Sequence, residues 1–423
     1  MELVLLFFLF FFLVFMRVPV AISLAIATSL FLFHDGFNMT MVPVRIFSSL
    51  TSFPLMAIPG FILTGVIMAR GGMSKQLIDA LKTWVGHLPG GLAVVTILAC
   101  MLFSAISGSS PATAAAIGSI MIPAMVYAGY EKKYAMGLIA TAGTLGILLP
   151  PSIPLIIYGI TVEESIGELF MAGIIPGILL GGVLIVSAIF YAKKNGFGTS
   201  KKASWQERKT ATYRAIWAGF LPVIILGSIY SGMVTPTESS VIAVAYAALV
   251  STLINRGASL HDIRYILMET VNITSMIFLI IGAAKLFGLY LVQGQIPHMI
   301  GAWIAQSDMN KWLFIIIINI LFFIMGTFLE SLSIILITLP IIFPILLHFG
   351  IDPIHFAIIM IINMELAMIT PPVGLNLFVV SGIAKDKLEN VIRGVLPFFI
   401  LFFIVLVIII LFPQLSLWLP SKM

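Results

Sequence analysis

Two proline pairs set deep in apolar sequence, Pro150-Pro151 and Pro371-Pro372, mark the places in this chain best suited to chemistry. A proline inside a helix donates no backbone hydrogen bond and frees the carbonyl four residues before it. The pairs therefore predict orphaned carbonyls at Gly146 and Ile147, and again at Ala367 and Met368. Away from water each orphan costs several kcal/mol, so something must satisfy it. A small hard cation can, because unwound carbonyls and neighbouring hydroxyls make good Na⁺ ligands. Gly143 and Gly146 allow close backbone approach, and Thr370 offers a hydroxyl. Glu365 places a carboxylate in an apolar segment, where it can hold a cation or exchange a proton. A kink satisfied by a neighbouring helix or a water is the alternative for one such pair. Two pairs, each matched with a polar interruption elsewhere in its half, favour ion sites.

Those polar interruptions supply a second set of candidates. Ser107, Gly108, Ser109, Ser110 and Thr113 break one apolar run, and Gly326, Thr327, Glu330, Ser331 and Ser333 break another. Small polar residues also hold membrane helices together, but Glu330, like Glu365, is too costly in a span to be bland. No arginine lies at either interruption. An anionic substrate would find its donors in Ser109, Ser152, Asn376 and the helix N-termini that follow the breaks.

Other chemistries are excluded. The one cysteine, Cys100, precludes an internal disulfide and a thiolate metal centre, and the six histidines have no metal-ligand spacing. No Gly-rich stretch ending in Gly-Lys-Ser/Thr is present, so a phosphate-cradling ATP site is absent. Neither an intramembrane His/Asp pair nor a Ser/Lys dyad supports a membrane-embedded enzyme, which is the distant alternative. The net charge of +5 orients membrane spans and does not signal nucleic acid.

The elements that position these residues follow from composition. The chain is 61% hydrophobic and 9% charged, with mean hydropathy +1.16. A soluble domain carries about 25% charged residues. An all-α polytopic membrane protein in the lipid bilayer is implied, and the missing apolar/polar alternation excludes a β-barrel. Pro123, Pro150, Pro151 and Pro176 recur at one constant offset as Pro344, Pro371, Pro372 and Pro397, and Pro19 is matched by Pro236. The chain reads as two homologous halves, 1–192 and 215–423, joined by a basic linker at 193–214 that the positive-inside rule makes cytoplasmic. Each half is expected to hold five spans and a re-entrant hairpin, at 92–127 and 313–347. Each also holds a broken helix, at 135–160 and 355–380. An odd number of spans inverts the second half relative to the first and puts both termini outside. Residues 3–16 and 18–33 read as two spans turning at Arg17-Val-Pro19, with one kinked helix as the alternative. The N-terminal apolar run lacks a basic flank and reads as a span rather than a signal peptide. Glu238 is expected to cap its helix from the Thr235-Pro-Thr-Glu238 pattern, and Lys285 to snorkel.

Four segments then resemble a known family. These are Ser107-Gly-Ser-Ser-Pro-Ala-Thr-Ala-Ala-Ala-Ile-Gly118, Gly143-Thr-Leu-Gly-Ile-Leu-Leu-Pro-Pro-Ser-Ile-Pro154, Gly326-Thr-Phe-Leu-Glu330 and Thr370-Pro-Pro-Val-Gly-Leu-Asn376. They are similar to the large, DctM-like membrane subunit of TRAP (tripartite ATP-independent periplasmic) transporters, over the whole chain. The resemblance implies an elevator-type inverted-repeat fold in the bacterial inner membrane with periplasmic termini. It also implies Na⁺-coupled uptake of an organic acid of the sialic acid or C4-dicarboxylate type. Two partners follow: a small four-helix membrane subunit, expected as a separate chain, and a periplasmic substrate-binding protein. The outward loops at 293–311 and 348–355 are where the latter would dock. Residues and resemblance together assign Na⁺ to Ser107, Gly108, Gly143, Gly146, Ile147 and Leu149 in the first half. In the second half they assign it to Gly326, Thr327, Glu365, Ala367, Met368 and Thr370. Substrate falls to Ser109, Ser110, Thr113, Pro151, Ser152, Glu330, Ser331, Pro372 and Asn376. A stand-alone Na⁺/dicarboxylate symporter of similar architecture is the alternative within transport.

Overall fold

The computed structural model of the chain describes residues 2–197, 202–255, 257, 260–296, 299 and 309–423. The centre of the linker (198–201), Arg256 and most of the loop at 293–311 lie outside them. The described residues are helical throughout, with no strand, and eight helices are long and apolar enough to cross a bilayer.

In chain order the first helices are α1 (Glu2–Phe15), α2 (Val20–His34), α3 (Met41–Leu50), α4 (Ala57–Arg70) and α5 (Met73–Val85). Then follow α6 (Gly91–Ser107), α7 (Ser110–Tyr127), α8 (Lys132–Thr144), α9 (Ile153–Val162) and α10 (Ile166–Asn195). The second half comprises α11 (Trp205–Tyr230), α12 (Pro236–Leu249), α13 (Leu260–Gln293), α14 (Lys311–Gly326), α15 (Ser331–His348), α16 (Pro353–Met368), α17 (Leu375–Ala384) and α18 (Leu388–Leu411). A short turn of helix, Gln414–Leu417, ends the fold. α1 and α2 are separate helices that pack together, joined by a turn in which Arg17 takes a left-handed conformation at φ 66°. The single kinked helix is therefore not formed. α3 and α5 are amphipathic and short, and the reading of the sequence by apolar runs passes over both.

Local signals fix the helix ends. Thr235 and Glu238 form a reciprocal capping box on α12, and Ser204 and Glu207 form another on α11. Each satisfies backbone N–H groups that a helix leaves orphaned. Asp352 caps α16 by accepting from the amides of Ile354 and His355, at 2.8 and 3.1 Å.

The helices pack in two groups that also meet each other, α5 against α6 and α13 against α15. α4 lies against α12 and α13, α13 against α2 and α3, and α11 against α5 and α12. The hairpins and broken helices form the other group, and here the halves exchange partners. α9 packs on α15, the second helix of the other half's hairpin, and α17 packs on α7 in the same way. Gly137 of α8 and Gly394 of α18 meet backbone to backbone, so a Cβ at either would strike the partner helix. At that end Lys132 pairs with Asp386 at 2.8 Å. That ammonium, with hydrogen bonds from Asn390 and the Lys387 amide, holds the Asp386 carboxyl down at about 2. Tyr158 adds a further tie between halves, donating to the Pro353 carbonyl at 2.7 Å.

Candidate transport site

The first hairpin turns where α6 gives way to Gly108, whose φ of 58° closes the helix in a left-handed step that favours glycine. Ser109 is extended, and α7 starts at Ser110 with Pro111 in its first turn. Ser107 and Thr113 share a hydrogen bond between their hydroxyls at 2.9 Å, and Thr113 also donates to the Ser109 carbonyl at 2.9 Å. This turn is seated on the first break. A Cβ on Gly146 would lie 2.7 Å from the Ser109 carbonyl oxygen, and one on Gly108 would lie 2.7 Å from that of Pro151. Gly143 is closed in by Ala114.

Between α8 and α9 the chain takes one 3₁₀ turn (Leu145–Ile147) and resumes helix after Ser152. Every residue of the break is buried, prolines included. Ser152 donates its hydroxyl to the Ile147 carbonyl. One of the two carbonyls expected to be orphaned therefore has a protein partner, supplied by the residue next to the proline pair.

The second break is more open. α16 ends at Met368, and the Ala367 carbonyl accepts the Thr370 amide at 3.0 Å, so it too is partnered. Thr370 turns its hydroxyl back to the Leu366 carbonyl at 2.7 Å. Pro371, Pro372 and Val373 are exposed, and the Val373 amide donates to the Thr327 carbonyl of the second hairpin at 3.2 Å. Gly374, at φ 51°, starts α17. At the second hairpin the turn is 327–330, with Glu330 half-buried just before α15.

Both hairpin turns and both breaks border one cavity of about 540 Å³. Its lining includes Ser107–Pro111 and Ile147 with Ile153 and Pro154 from the first half, and Glu330–Leu332, Met368 and Leu375 from the second. The first turns of α7, α9, α15 and α17 all contribute, so four helix N-termini converge on it. The lining is completed by α4 (Ile62, Gly65, Val66, Ala69, Arg70) and α13 (Tyr265, Glu269, Ile273, Met276, Ile277). Each series runs along a single helical face by its three- and four-residue steps. Arg70 and Tyr265 are exposed, so the cavity opens at their end. A smaller cavity of about 390 Å³ adjoins it across Glu330 and touches Gly326, Thr327, Val373 and Gly374.

The sequence profile of the DctM component of tripartite ATP-independent periplasmic transporters matches residues 7–415. The chain belongs to this family. It is 42% identical over 401 residues to the C4-dicarboxylate TRAP transporter large permease protein DctM of Pseudomonas aeruginosa, covering 95% of this chain and 94% of that one. It is 36% identical over 405 residues to the sialic acid TRAP transporter large permease protein SiaM of Vibrio cholerae, covering 96% and 95%. Among solved structures, the Alcanivorax borkumensis YdaH transporter shares the fold, with a TM-score of 0.66 at 14% identity and 91% and 89% coverage. The chain is thus a multi-pass large permease subunit of a TRAP transporter, and not an enzyme.

In this DctM-family subunit the residues singled out by sequence separate into two sets. Ser107, Gly108, Ser109, Ser110, Ile147, Glu330, Ser331 and Met368 border the main cavity. Gly143, Gly146, Leu149, Pro151, Ser152 and Thr113 lie behind it, buried in the first-half packing. Asn376 is fully buried rather than facing the cavity, and its amide donates to the Ser110 hydroxyl at 2.7 Å and the Ala140 carbonyl at 3.0 Å. It ties the second break to the first hairpin. Gly326 is closed in by Ala367, and Thr327 accepts from the second break. Thr370 and Pro372 are outside the main cavity lining. Glu365 is 0% exposed, and neither carboxylate oxygen has a hydrogen-bond partner among the described residues.

Sequence reasoning missed Arg70, Tyr265, Glu269 and the amide pair Asn319–Asn363, in which Asn363 donates to the Asn319 side chain at 2.8 Å. The i, i+4 pair Tyr265 and Glu269 beside an apolar face was visible in the sequence. Arg70 was visible too, but a basic residue at the end of an apolar run reads equally well as a topological charge.

Proposed function

We propose that this subunit imports an organic acid by coupling it to Na⁺. The observation that carries the reading is the convergence of four helix N-termini on one cavity. Each N-terminus carries about half a positive charge, which suits an anionic group without any cation at the turns, although Pro111 and Pro154 donate nothing and Ser152 already caps the Leu155 amide. The cavity volume falls in the range of roughly 300–1,000 Å³ usual for small ligands. The relatives named for C4-dicarboxylates and for sialic acid agree with an organic acid as substrate.

Na⁺ would enter as a co-substrate beside the breaks. Buried acceptors without donors are costly unless a cation or a proton accompanies them. The Asn376 Oδ1 and both Glu365 oxygens are such acceptors among the described residues. Asn376 lies where the first hairpin, α8 and the second break meet, and Glu365 lies in the helix leading into the second break. The free lone pairs of the Gly146, Ile147, Ala367 and Met368 carbonyls and the hydroxyls of Ser107 and Thr370 complete the candidate ligands.

In this reading the halves are inverted repeats in the bacterial inner membrane, the linker is cytoplasmic and both termini are periplasmic. Arg70 then sits at the cytoplasmic end, so the cavity opens inward. Hairpins and broken helices move as one unit against the wall of α4 and α13. A small membrane subunit covers exposed apolar scaffold, and a periplasmic binding protein delivers substrate. Reconstitution in proteoliposomes with both partners, and with each omitted, tests this. Uptake of succinate or N-acetylneuraminate is expected only from the complete set. Full saturable uptake by the purified subunit alone would favour the stand-alone symporter.

A further inference from the structure

We infer that Arg70 is an anion-binding residue of the cavity, receiving a carboxylate of the substrate one helical turn beyond the point where α4 meets the first hairpin. The inference rests on the proposed function and adds a site to it.

Arg70 is the only cationic side chain bordering the cavity among the described residues; the other charged groups there are Glu269 and Glu330. Its guanidinium lies 3.7 Å from the centre of the Tyr265 ring, a cation–π contact that orients the group while leaving its N–H donors free. It has no ion-pair partner among the described residues. Arginine is suited to this task because its planar fork binds a carboxylate through two parallel hydrogen bonds. The last turn of α4 fixes where that fork sits. Ile62, Gly65, Val66 and Ala69 lead along the same face from the first hairpin to Arg70, and Gly65 lets Ser107 approach within 3.1 Å of where a Cβ would stand.

The arrangement gives the cavity two anion-attracting ends. Helix N-termini hold one end of the substrate through its polar or acidic groups, and Arg70 binds a carboxylate at the other. Glu269, one turn from Tyr265 on α13, repels a misplaced carboxylate and accepts hydrogen bonds from a hydroxyl or an ammonium group. Selection would therefore depend on which end of the molecule carries the acid.

Equilibrium binding of labelled succinate and N-acetylneuraminate to the purified complex in saturating Na⁺ tests the site. For whichever probe the wild type binds, Arg70→Gln should raise the Kd at least tenfold. Arg70→Lys should recover only part of the loss, because an ammonium lacks the fork. Tyr265→Leu should weaken binding more than Tyr265→Phe, which keeps a ring under the guanidinium. With the acid held at the same multiple of each variant's own Kd, the Na⁺ concentration for half-maximal binding should not change in any variant that elutes as the intact complex. An unchanged Kd in both Arg70→Gln and Tyr265→Leu overturns this inference and leaves the proposed function standing. Failure of the wild type to bind either acid with Na⁺ present overturns the proposed function and this site with it.

Discussion

Pro150 and Pro151 are buried, whereas Pro371 and Pro372 are exposed, although each pair interrupts its helix in the same way. The surroundings account for the contrast. The first break is enclosed by its own hairpin and by α10, with Gly146 and Gly173 admitting neighbouring backbone. Its freed Ile147 carbonyl is satisfied from within by Ser152. The second break is joined to its hairpin by a single amide, from Val373 to Thr327, and the carboxylates Glu330 and Glu365 belong to its half alone. The first proline pair is thus a buried seat, and the second is a more exposed, acidic counterpart. In the proposed cycle the second break has more room to respond to cation and substrate.

The largest effect is expected at Glu365. An unpartnered carboxylate at 0% exposure is destabilising unless a cation or proton accompanies it. Glu365→Gln should leave the thermal unfolding temperature equal or higher, because an uncompensated charge is removed. The same variant should raise the Na⁺ concentration for half-maximal uptake by about 5- to 150-fold, the span of a 1–3 kcal/mol coupling. A variant that unfolds earlier yet retains the wild-type Na⁺ requirement would assign Glu365 to the fold instead.

The next comparison separates the two breaks directly. Ser152→Ala removes the buried donor to the Ile147 carbonyl and should cost about 1–3 kcal/mol of stability, read as earlier thermal unfolding, with little change in Na⁺ dependence. Thr370→Val removes a hydroxyl bonded only to the Leu366 carbonyl at a partly exposed position. Its stability change should stay within about 0.5 kcal/mol, while its Na⁺ requirement rises. Equal behaviour of the two variants in both assays would erase the distinction between seat and responder.

These contrasts mark where sequence stops being informative. The proline pairs and polar turns were readable because backbone chemistry makes them conspicuous in apolar sequence. Glu238 was readable as a cap because the capping box is a local pattern. The partners of the freed carbonyls were not readable. Ser152 rescues Ile147 and the Thr370 amide rescues Ala367 through turn geometry that proline alone does not dictate. Asn376 looked like a substrate donor, yet its amide is committed to Ser110 and Ala140, hundreds of positions away. α3 and α5 escaped notice because amphipathic helices of 10 and 13 residues leave no long apolar run. The wall formed by Arg70, Tyr265 and Glu269 depends on α4 meeting α13, a contact between halves that no local pattern encodes.

In the proposed cycle two unequal breaks together couple Na⁺ to substrate. The most direct test is the initial rate of organic-acid uptake by the complete reconstituted assembly, measured against external Na⁺ with choline as the replacement ion. No uptake is expected without Na⁺, with a sigmoidal rise as it is added, because more than one ion site must fill. An equal rate in Na⁺-free buffer would contradict this coupling.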